Sequence, residues 1–256
     1  MCELFGVCAR QPVECRDDLR EFYRHSCRHP NGWGLAILDG NSAVIEKEPL
    51  EADKSSYLHE RLTVPVEGKL ILAHIRYATI GNVEYKNCHP FSGADCTGRK
   101  WTLIHNGTIF EYEPLNRYVG RQVGDTDSER IFLFLLDEVN RRTRSEGKLD
   151  AEKRFRLLDE LITDMAKGNK LNLIISDGEY MYVHTNYENS LHFRKRKGQV
   201  VFSTEPLGRD VWEPVPMTTL LAWRNGELIY TGTNHGQVFE DNEENMKFLY
   251  QIFSSL

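Results

Sequence analysis

Apolar, β-prone side chains begin almost at the amino terminus. Leu4, Phe5 and Val7 within Cys2–Cys8 predict a core strand rather than a frayed end. Asp17–His29 carries Leu19, Phe22, Tyr23 and Ser26 on one side and charges elsewhere, which predicts a short amphipathic helix. That helix should stop at His29. Pro30 disfavours helical backbone in the residue before it, and Gly32 and Gly34 permit a tight turn. Leu35–Leu38 and Ala43–Glu48 flank Asp39-Gly40-Asn41-Ser42, a hairpin pattern. Asp53–Leu62 reads as a helix. Leu70–Arg76 has no polar face until His74, so this strand should be covered on both sides.

Trp101–His105 is another short apolar strand, which Asn106-Gly107 should end. Asp125-Thr126-Asp127-Ser128-Glu129 reads as a helix start. Asp125 or Thr126 can cap it, and Glu129 stands where a capping box needs its acid. The helix continues through Ile131, Phe132, Phe134, Leu135, Leu136 and Val139. The charged stretch Arg141–Asp150, with Gly147, reads as a loop, and Ala151–Lys167 as a second amphipathic helix closed by Gly168. Strands then follow at short spacing: Lys170–Ser176, Tyr180–Thr185, Ser190–Arg194, Val200–Ser203, Thr218–Arg224 and Glu227–Tyr230. Asp177-Gly178 and Asn225-Gly226 mark hairpins, and Glu243–Phe253 reads as a last helix. Strands, a helical block and strands again, with no repeat and no linker, predict one α+β domain over residues 1–256, built as stacked antiparallel sheets with helices outside.

Composition narrows the function. The chain has 256 residues, 40% hydrophobic and 27% charged, ordinary for a soluble globular protein. A net charge of −6 gives no global support to nucleic-acid binding. No apolar run is long enough to span a membrane, and the amino terminus lacks a basic and an apolar region of secretory type. The six cysteines read as thiols of a cytoplasmic protein rather than as a disulfide framework.

Four polar clusters begin or end elements, where chemistry is usually placed. Cys2 follows the initiator methionine, and a small residue there permits methionine removal. One residue would then carry both a thiol and a free α-amine. The thiolate is the nucleophile, and an amine titrating near pH ~8 can serve as its base. Arg76 stands at the mouth of a strand covered on both faces. A guanidinium there suits a carboxylate, although a structural ion pair is the plainer reading. Asn106-Gly107 offers two neutral donors, as an oxyanion hole needs, but is also a common turn pair. Asp127 can be an ion-pair partner or merely complement a helix dipole. Cys88, His89, Cys96 and His105 have zinc-ligand chemistry, but their spacing fits no regular zinc pattern, so no metal is expected. Phosphate-binding glycine loops are absent, and no cofactor is called for.

Taken in order, these clusters resemble the class II glutamine amidotransferase domain, an N-terminal-nucleophile hydrolase. The stretches that carry the resemblance are Met1-Cys2 with Gly6, Arg28 with Asn31-Gly32-Trp33-Gly34, and His74-Ile75-Arg76-Tyr77-Ala78-Thr79 with Gly81. They continue with His89-Pro90, His105-Asn106-Gly107 and Thr126-Asp127-Ser128-Glu129. The resemblance implies a four-layer αββα sandwich with two mainly antiparallel sheets between helical layers. It implies Cys2 as nucleophile with its own α-amine as base, and Asn106 with the Gly107 N–H as oxyanion hole. Arg76 and Thr79 would hold the α-carboxylate of glutamine, and Asp127 its α-ammonium.

The departures are informative. Arg28-His29 stands where the family has Arg-Gly, Asn31 stands for its usual Asp, and Ile80 replaces the His of amidotransferases that make sugar amines. No synthase domain follows, as in the small stand-alone members, some of which cleave other γ-glutamyl compounds. Two functions are therefore expected to compete. One is a hydrolase of glutamine or a γ-glutamyl conjugate. The other is a glutamine-binding or ammonia-donating subunit that works only with a separate synthase chain.

Overall fold

The computed structural model describes residues 2–243, 245 and 247. The first sheet contains β1 (Glu3–Glu14), β2 (Trp33–Asp39), β3 (Ser42–Glu48), β4 (Glu67–Ile75), β9 (His192–Arg196), β10 (Gln199–Ser203) and the short β11 (Glu213–Pro214). The second contains β5 (Phe91–Ala94), β6 (Lys100–Thr108), β7 (Lys170–Ser176), β8 (Met181–His184), β12 (Leu221–Arg224) and β13 (Glu227–Thr231). Strand order is β11-β9-β10-β1-β4-β2-β3 in the first and β13-β12-β8-β7-β6-β5 in the second. Neighbouring strands pair antiparallel throughout. The helices are α1 (Arg16–Arg24), α2 (Ser56–Arg61), α3 (Asp127–Glu146) and α4 (Ala151–Met165).

Strand alternation builds three apolar seams from this arrangement. Leu4, Leu70, Leu72, Ile104, Ile174 and Phe202 meet between the sheets. Phe5, Val7, Ile71 and Ala73 turn the other way and pack with Leu19, Phe22 and Leu58 of α1 and α2. Leu103, Leu171, Leu173 and Ile175 pack under Ile131, Leu135, Leu158 and Ile162 of α3 and α4. The result is the four-layer αββα order. Each such fully buried side chain contributes about 1.5–3 kcal/mol, whereas intrinsic helix preference differs by at most ~0.7 kcal/mol per ordinary residue. Layer packing therefore places the helices. Gly6 falls in the central seam, where a Cβ would come within 3.1 Å of Ile174 Cδ1 and 3.3 Å of Met181 Sδ.

Several boundaries differ from the sequence reading. β1 runs on to Glu14, past a register shift between Cys8 and Val13 that contains Pro12. The Asp17–His29 helix is α1 followed by a 3-10 turn at His25–Arg28. The Asp53–Leu62 helix shortens to α2, capped by the Ser55 hydroxyl, which accepts from Leu58 N–H at 2.9 Å. Arg141–Glu146 is the end of α3 rather than a loop. There Arg141 pairs with Glu138 at 2.7 Å and Arg142 with Glu146 at 3.4 Å, and the helix closes at Gly147 with φ 81°. The expected helix Glu243–Phe253 lies almost wholly outside the described residues.

The antiparallel register sets the geometry of one end of the sandwich. Glu3 lies opposite Ile75, so the start of β1 adjoins the end of β4. Trp33, the first residue of β2, lies opposite Ile75 on the other side. Asn106 and Gly107 lie opposite Asn172 and Leu171, at the end of β6 and the beginning of β7.

Candidate active site

Cys2 sits half-buried at that end. Its Sγ donates to the Tyr77 carbonyl at 3.5 Å and accepts from the Tyr77 N–H at 3.4 Å. The backbone around Tyr77 is itself held. Asn31 N–H donates to the Arg76 carbonyl at 3.0 Å, and Arg76 N–H to the Gly32 carbonyl at 2.8 Å. Ala78 N–H donates to Asn31 Oδ1 at 2.9 Å. Burial pushes the Cys2 thiol above its ordinary range. The Tyr77 hydrogen bond and the Arg76 charge oppose that rise, and the Asp127 charge adds to it. The resting group is therefore a thiol at neutral pH, and a reaction there needs a base.

Arg76 is 2% exposed and already engaged. Nη2 donates to the carbonyls of Ile80 and Gly81, and Nη1 to that of Asn82, each at 2.9 Å. The guanidinium thus shapes the 80–82 loop from beneath. Neither of the roles weighed for it from sequence, a carboxylate clamp or an ion pair, accounts for these three bonds. Thr79 on the same loop is half-buried, and its hydroxyl makes no hydrogen bond among the described residues.

Asp127 opens α3. Its Oδ2 accepts from Ile109 N–H and its Oδ1 from Ser128 N–H, both at 2.9 Å. The N-cap is Thr126, whose Oγ1 accepts from Glu129 N–H at 3.2 Å. Glu129 does not complete a capping box. Its carboxylate accepts instead from Val123 N–H at 2.8 Å and Gly124 N–H at 2.7 Å, which fixes the loop before the helix.

Asn106-Gly107 is not a turn, since β6 runs through both residues to Thr108. Asn106 is 2% exposed, and its buried Oδ1 has no partner among the described residues. The donor of this amide is Nδ2, the group that an oxyanion would need. A Cβ on Gly107 would collide with the Lys170 carbonyl oxygen and the His105 ring, so glycine is required by close approach of the backbones.

Behind these groups lie three buried histidines, each held neutral by burial: His74, His89 and His105. His74 Nε2 donates to the His105 carbonyl at 3.2 Å, which ties β4 to β6 across the central seam. That bond fixes the proton of neutral His74 on Nε2. His89 stacks on His74 with ring centroids 4.0 Å apart. His105 Nδ1 lies 2.9 Å from Ser128 Oγ, linking β6 to α3. Cys88, His89, Cys96 and His105 do not gather as ligands; among the described residues the group that does is Glu3, His25 and Glu205.

The structure thus gathers Cys2, Arg76 and Asp127 within electrostatic range, and brings Asn106 and Gly107 to the same end of the sandwich. In the sequence, Asn31, Tyr77 and His74 stand only as members of the ordered motifs, with Asn31 in place of the family's Asp; nothing there shows that Asn31 and the Tyr77 peptide hold Cys2 or that His74 ties the two sheets.

Two antiparallel sheets between helical layers, with a cysteine before the first central strand, define the architecture of N-terminal-nucleophile hydrolases. Residues 1–199 match the family described as class II glutamine amidotransferases, and the chain belongs to that family. It is 30% identical to an uncharacterized protein of Methanocaldococcus jannaschii, over 90% of this chain and 71% of that one. It is 30% identical to YafJ of Escherichia coli, a candidate glutamine amidotransferase, over 77% of each chain. A crystal structure of a protein from Pseudomonas aeruginosa, predicted to be a glutamine amidotransferase, superposes with a TM-score of 0.65 at 22% identity. It covers 90% of this chain and all of the other. No helix among the described residues is long and apolar enough to cross a membrane.

Proposed function

We propose that this chain hydrolyses the γ-amide of glutamine or of a related γ-glutamyl compound through a thioester on Cys2. Removal of Met1 frees the Cys2 α-amine, which takes the thiol proton as sulfur attacks the γ-carbonyl. The same amine then protonates the departing nitrogen, and water cleaves the thioester to release a γ-glutamyl acid. Asn106 and the Gly107 N–H receive the oxyanion, a role in which one donor is worth about 10²–10³ in kcat. Arg76 and Thr79 take the α-carboxylate and Asp127 the α-ammonium, which fixes the far end of the substrate and delivers the carbonyl to sulfur. Carboxylate capture requires the 80–82 loop to release at least one of its carbonyls from Arg76. On this reading residues 1–256 act as one amidotransferase domain in the cytoplasm, with no metal or organic cofactor.

The observation that carries the proposal is the Cys2 thiol, half-exposed and within electrostatic range of both a buried arginine and a buried aspartate. Opposite charges beside one thiol suit an amino-acid end with both an ammonium and a carboxylate. A cavity of about 380 Å³ beside it is lined by Pro30, Tyr77 and Val83 among others, with no charged side chain. It leaves room for a substituent on the γ-nitrogen. A larger cavity of about 760 Å³ includes none of the six proposed site residues and has no part in this reading.

The second reading is the subunit that binds glutamine or passes ammonia to a separate synthase chain. Exposed Tyr77, Val83 and Tyr85 on the segment after β4 favour it, since a partner chain would cover them. The deciding experiment compares kcat/KM of the isolated protein on glutamine and on γ-glutamyl dipeptides. Hydrolysis of the dipeptides at least as fast as of glutamine supports the hydrolase. Ammonia release only from glutamine, and only after a synthase chain is added, supports the subunit.

A further inference from the structure

Glu3 follows the nucleophile directly, yet faces the other way. It shares the strand face of Phe5, toward α1 and the 3-10 turn, and is 2% exposed. His25 Nδ1 donates to its Oε2 at 2.8 Å. Arg28 Nη2 and His29 Nδ1 stand 3.5 and 3.6 Å from its Oε1. Arg28 in turn donates to both oxygens of Glu205, at 2.9 and 2.7 Å. Glu3, His25 and Glu205 bring ligand atoms within 4.8 Å of one another. Arg28, however, supplies a positive charge to both carboxylates, so the cluster is an ion-pair network rather than a cation site.

The turn that Glu3 grips leads straight to Asn31, which bonds the backbone on both sides of Tyr77 through the Arg76 carbonyl and the Ala78 N–H. Tyr77 in turn holds Cys2 Sγ with both its N–H and its carbonyl. The contacts therefore close on themselves: Cys2 to Glu3 along the chain, Glu3 to the 25–29 turn, the turn to Asn31, Asn31 to residues 76–78, and these to the Cys2 sulfur. We propose that Glu3 is a positioning residue for the nucleophile: by anchoring the 25–29 turn it sets, through Asn31, where the Tyr77 N–H stands relative to the Cys2 sulfur. This rests on the reading of Cys2 as nucleophile given above. A carboxylate taken out of water must be paired, so the network has one low-energy arrangement where apolar packing would allow several. The charges that bear on the result are the terminal α-amine, Arg76 and Asp127 toward Cys2, and His25, His29, Arg28 and Glu205 toward Glu3.

The test is alkylation of Cys2 by iodoacetamide as a function of pH, read by peptide mass. It is run on the full chain, on Glu3→Ala and Glu3→Gln, and on Asn31→Ala and Asn31→Asp, with kcat and KM measured beside it. Misplacing the Tyr77 N–H removes a stabilising contact from the thiolate. Glu3→Ala and Asn31→Ala should therefore alkylate about tenfold more slowly at neutral pH, with the profile moved up by about one pH unit. Their kcat should fall more than KM rises. Asn31→Asp keeps the oxygen acceptor and should recover kcat relative to Asn31→Ala, while its added negative charge, like that of Asp127, raises the thiol; a merely structural loss would leave the profile of the folded Asn31→Ala fraction unmoved. If Glu3→Ala does not fold, Glu3→Gln and the Asn31 pair carry the test. Folded Glu3→Gln and Asn31→Ala with the original alkylation profile overturn the proposal. Failure of the unaltered protein to turn over any γ-glutamyl compound would instead count against the proposed function, since the alkylation profile needs no substrate.

Discussion

The Tyr77 peptide brackets the Cys2 sulfur, its N–H 3.4 Å and its carbonyl 3.5 Å away. The residues are 75 positions apart in sequence and meet because β1 and β4 pair antiparallel with Glu3 opposite Ile75. The thiol can therefore rest protonated, donating to the carbonyl, and can receive the N–H once it ionises. The register of two core strands, fixed by their buried Leu and Ile side chains, sets that relation.

Asn106 and Arg76 should separate on substitution. We predict that Asn106→Ala lowers kcat by about 10²–10³ with a smaller change in KM. Steady-state kinetics on the preferred γ-glutamyl substrate is the check, and an unchanged kcat removes Asn106 from the oxyanion hole.

Arg76→Ala should do more than weaken capture of substrate. It also leaves the carbonyls of Ile80 and Gly81 without their buried donor and that of Asn82 with Asn87 Nδ2 alone, and each charge-assisted bond contributes on the order of 1.5–3 kcal/mol. We predict a raised KM together with a clear fall in melting temperature. A raised KM at unchanged stability would mean that the three bonds do not hold the loop.

Gly107→Ala should damage the site through the backbone. The new methyl collides with the Lys170 carbonyl, so the β6–β7 pairing must open beside the proposed oxyanion hole. We predict lost activity and lost stability together, read by turnover and thermal melting. Full activity in this variant would place the oxyanion hole elsewhere.

Stability should fall on both sides of neutrality. Burial lowers the pKa of His74, His89, His105 and His184, the last to about 3 from 6.5. Below pH 6.5 the unfolded chain binds protons that these native histidines refuse, so their contribution is present above that pH and is lost as pH falls. His25 works oppositely, because its bond to Glu3 raises its pKa. His29 and His235 are lowered as well, so one such group against six leaves the acid side unstable. Burial raises Cys8 and Cys88 to about 11 from 9.0, so stability is lost again as pH rises from 9 to 11. Denaturant midpoints across pH 4–11 test this, and a midpoint that climbs steadily on acidification contradicts it.

How much of this was legible in the chain depended on whether neighbours in sequence or neighbours in space decided the matter. The central strands, all three hairpins and a helix cap at Asp125 or Thr126 follow from local pattern and were readable. Arg141–Glu146 was not, because its charges mimic a loop until their pairs at helical spacing are seen. Asn106-Gly107 looks like a turn pair until β7 is found beside it, and Pro12 hid the second half of β1. The proposal of Cys2, Asn106 and Asp127 as site residues came from their ordered motifs. The partners that place them could not, because Asn31, the Tyr77 peptide and Glu3 act through contacts that only the fold creates.

The most direct test of the central claim is the intact mass and peptide map of the active protein after treatment with an electrophilic glutamine analogue. We predict a chain without Met1, carrying one adduct on Cys2, and no adduct or turnover in Cys2→Ala. Cys8, Cys15, Cys27, Cys88 and Cys96 should remain unlabelled. An active chain that keeps Met1, an adduct on another cysteine, or turnover by Cys2→Ala would contradict the proposed mechanism.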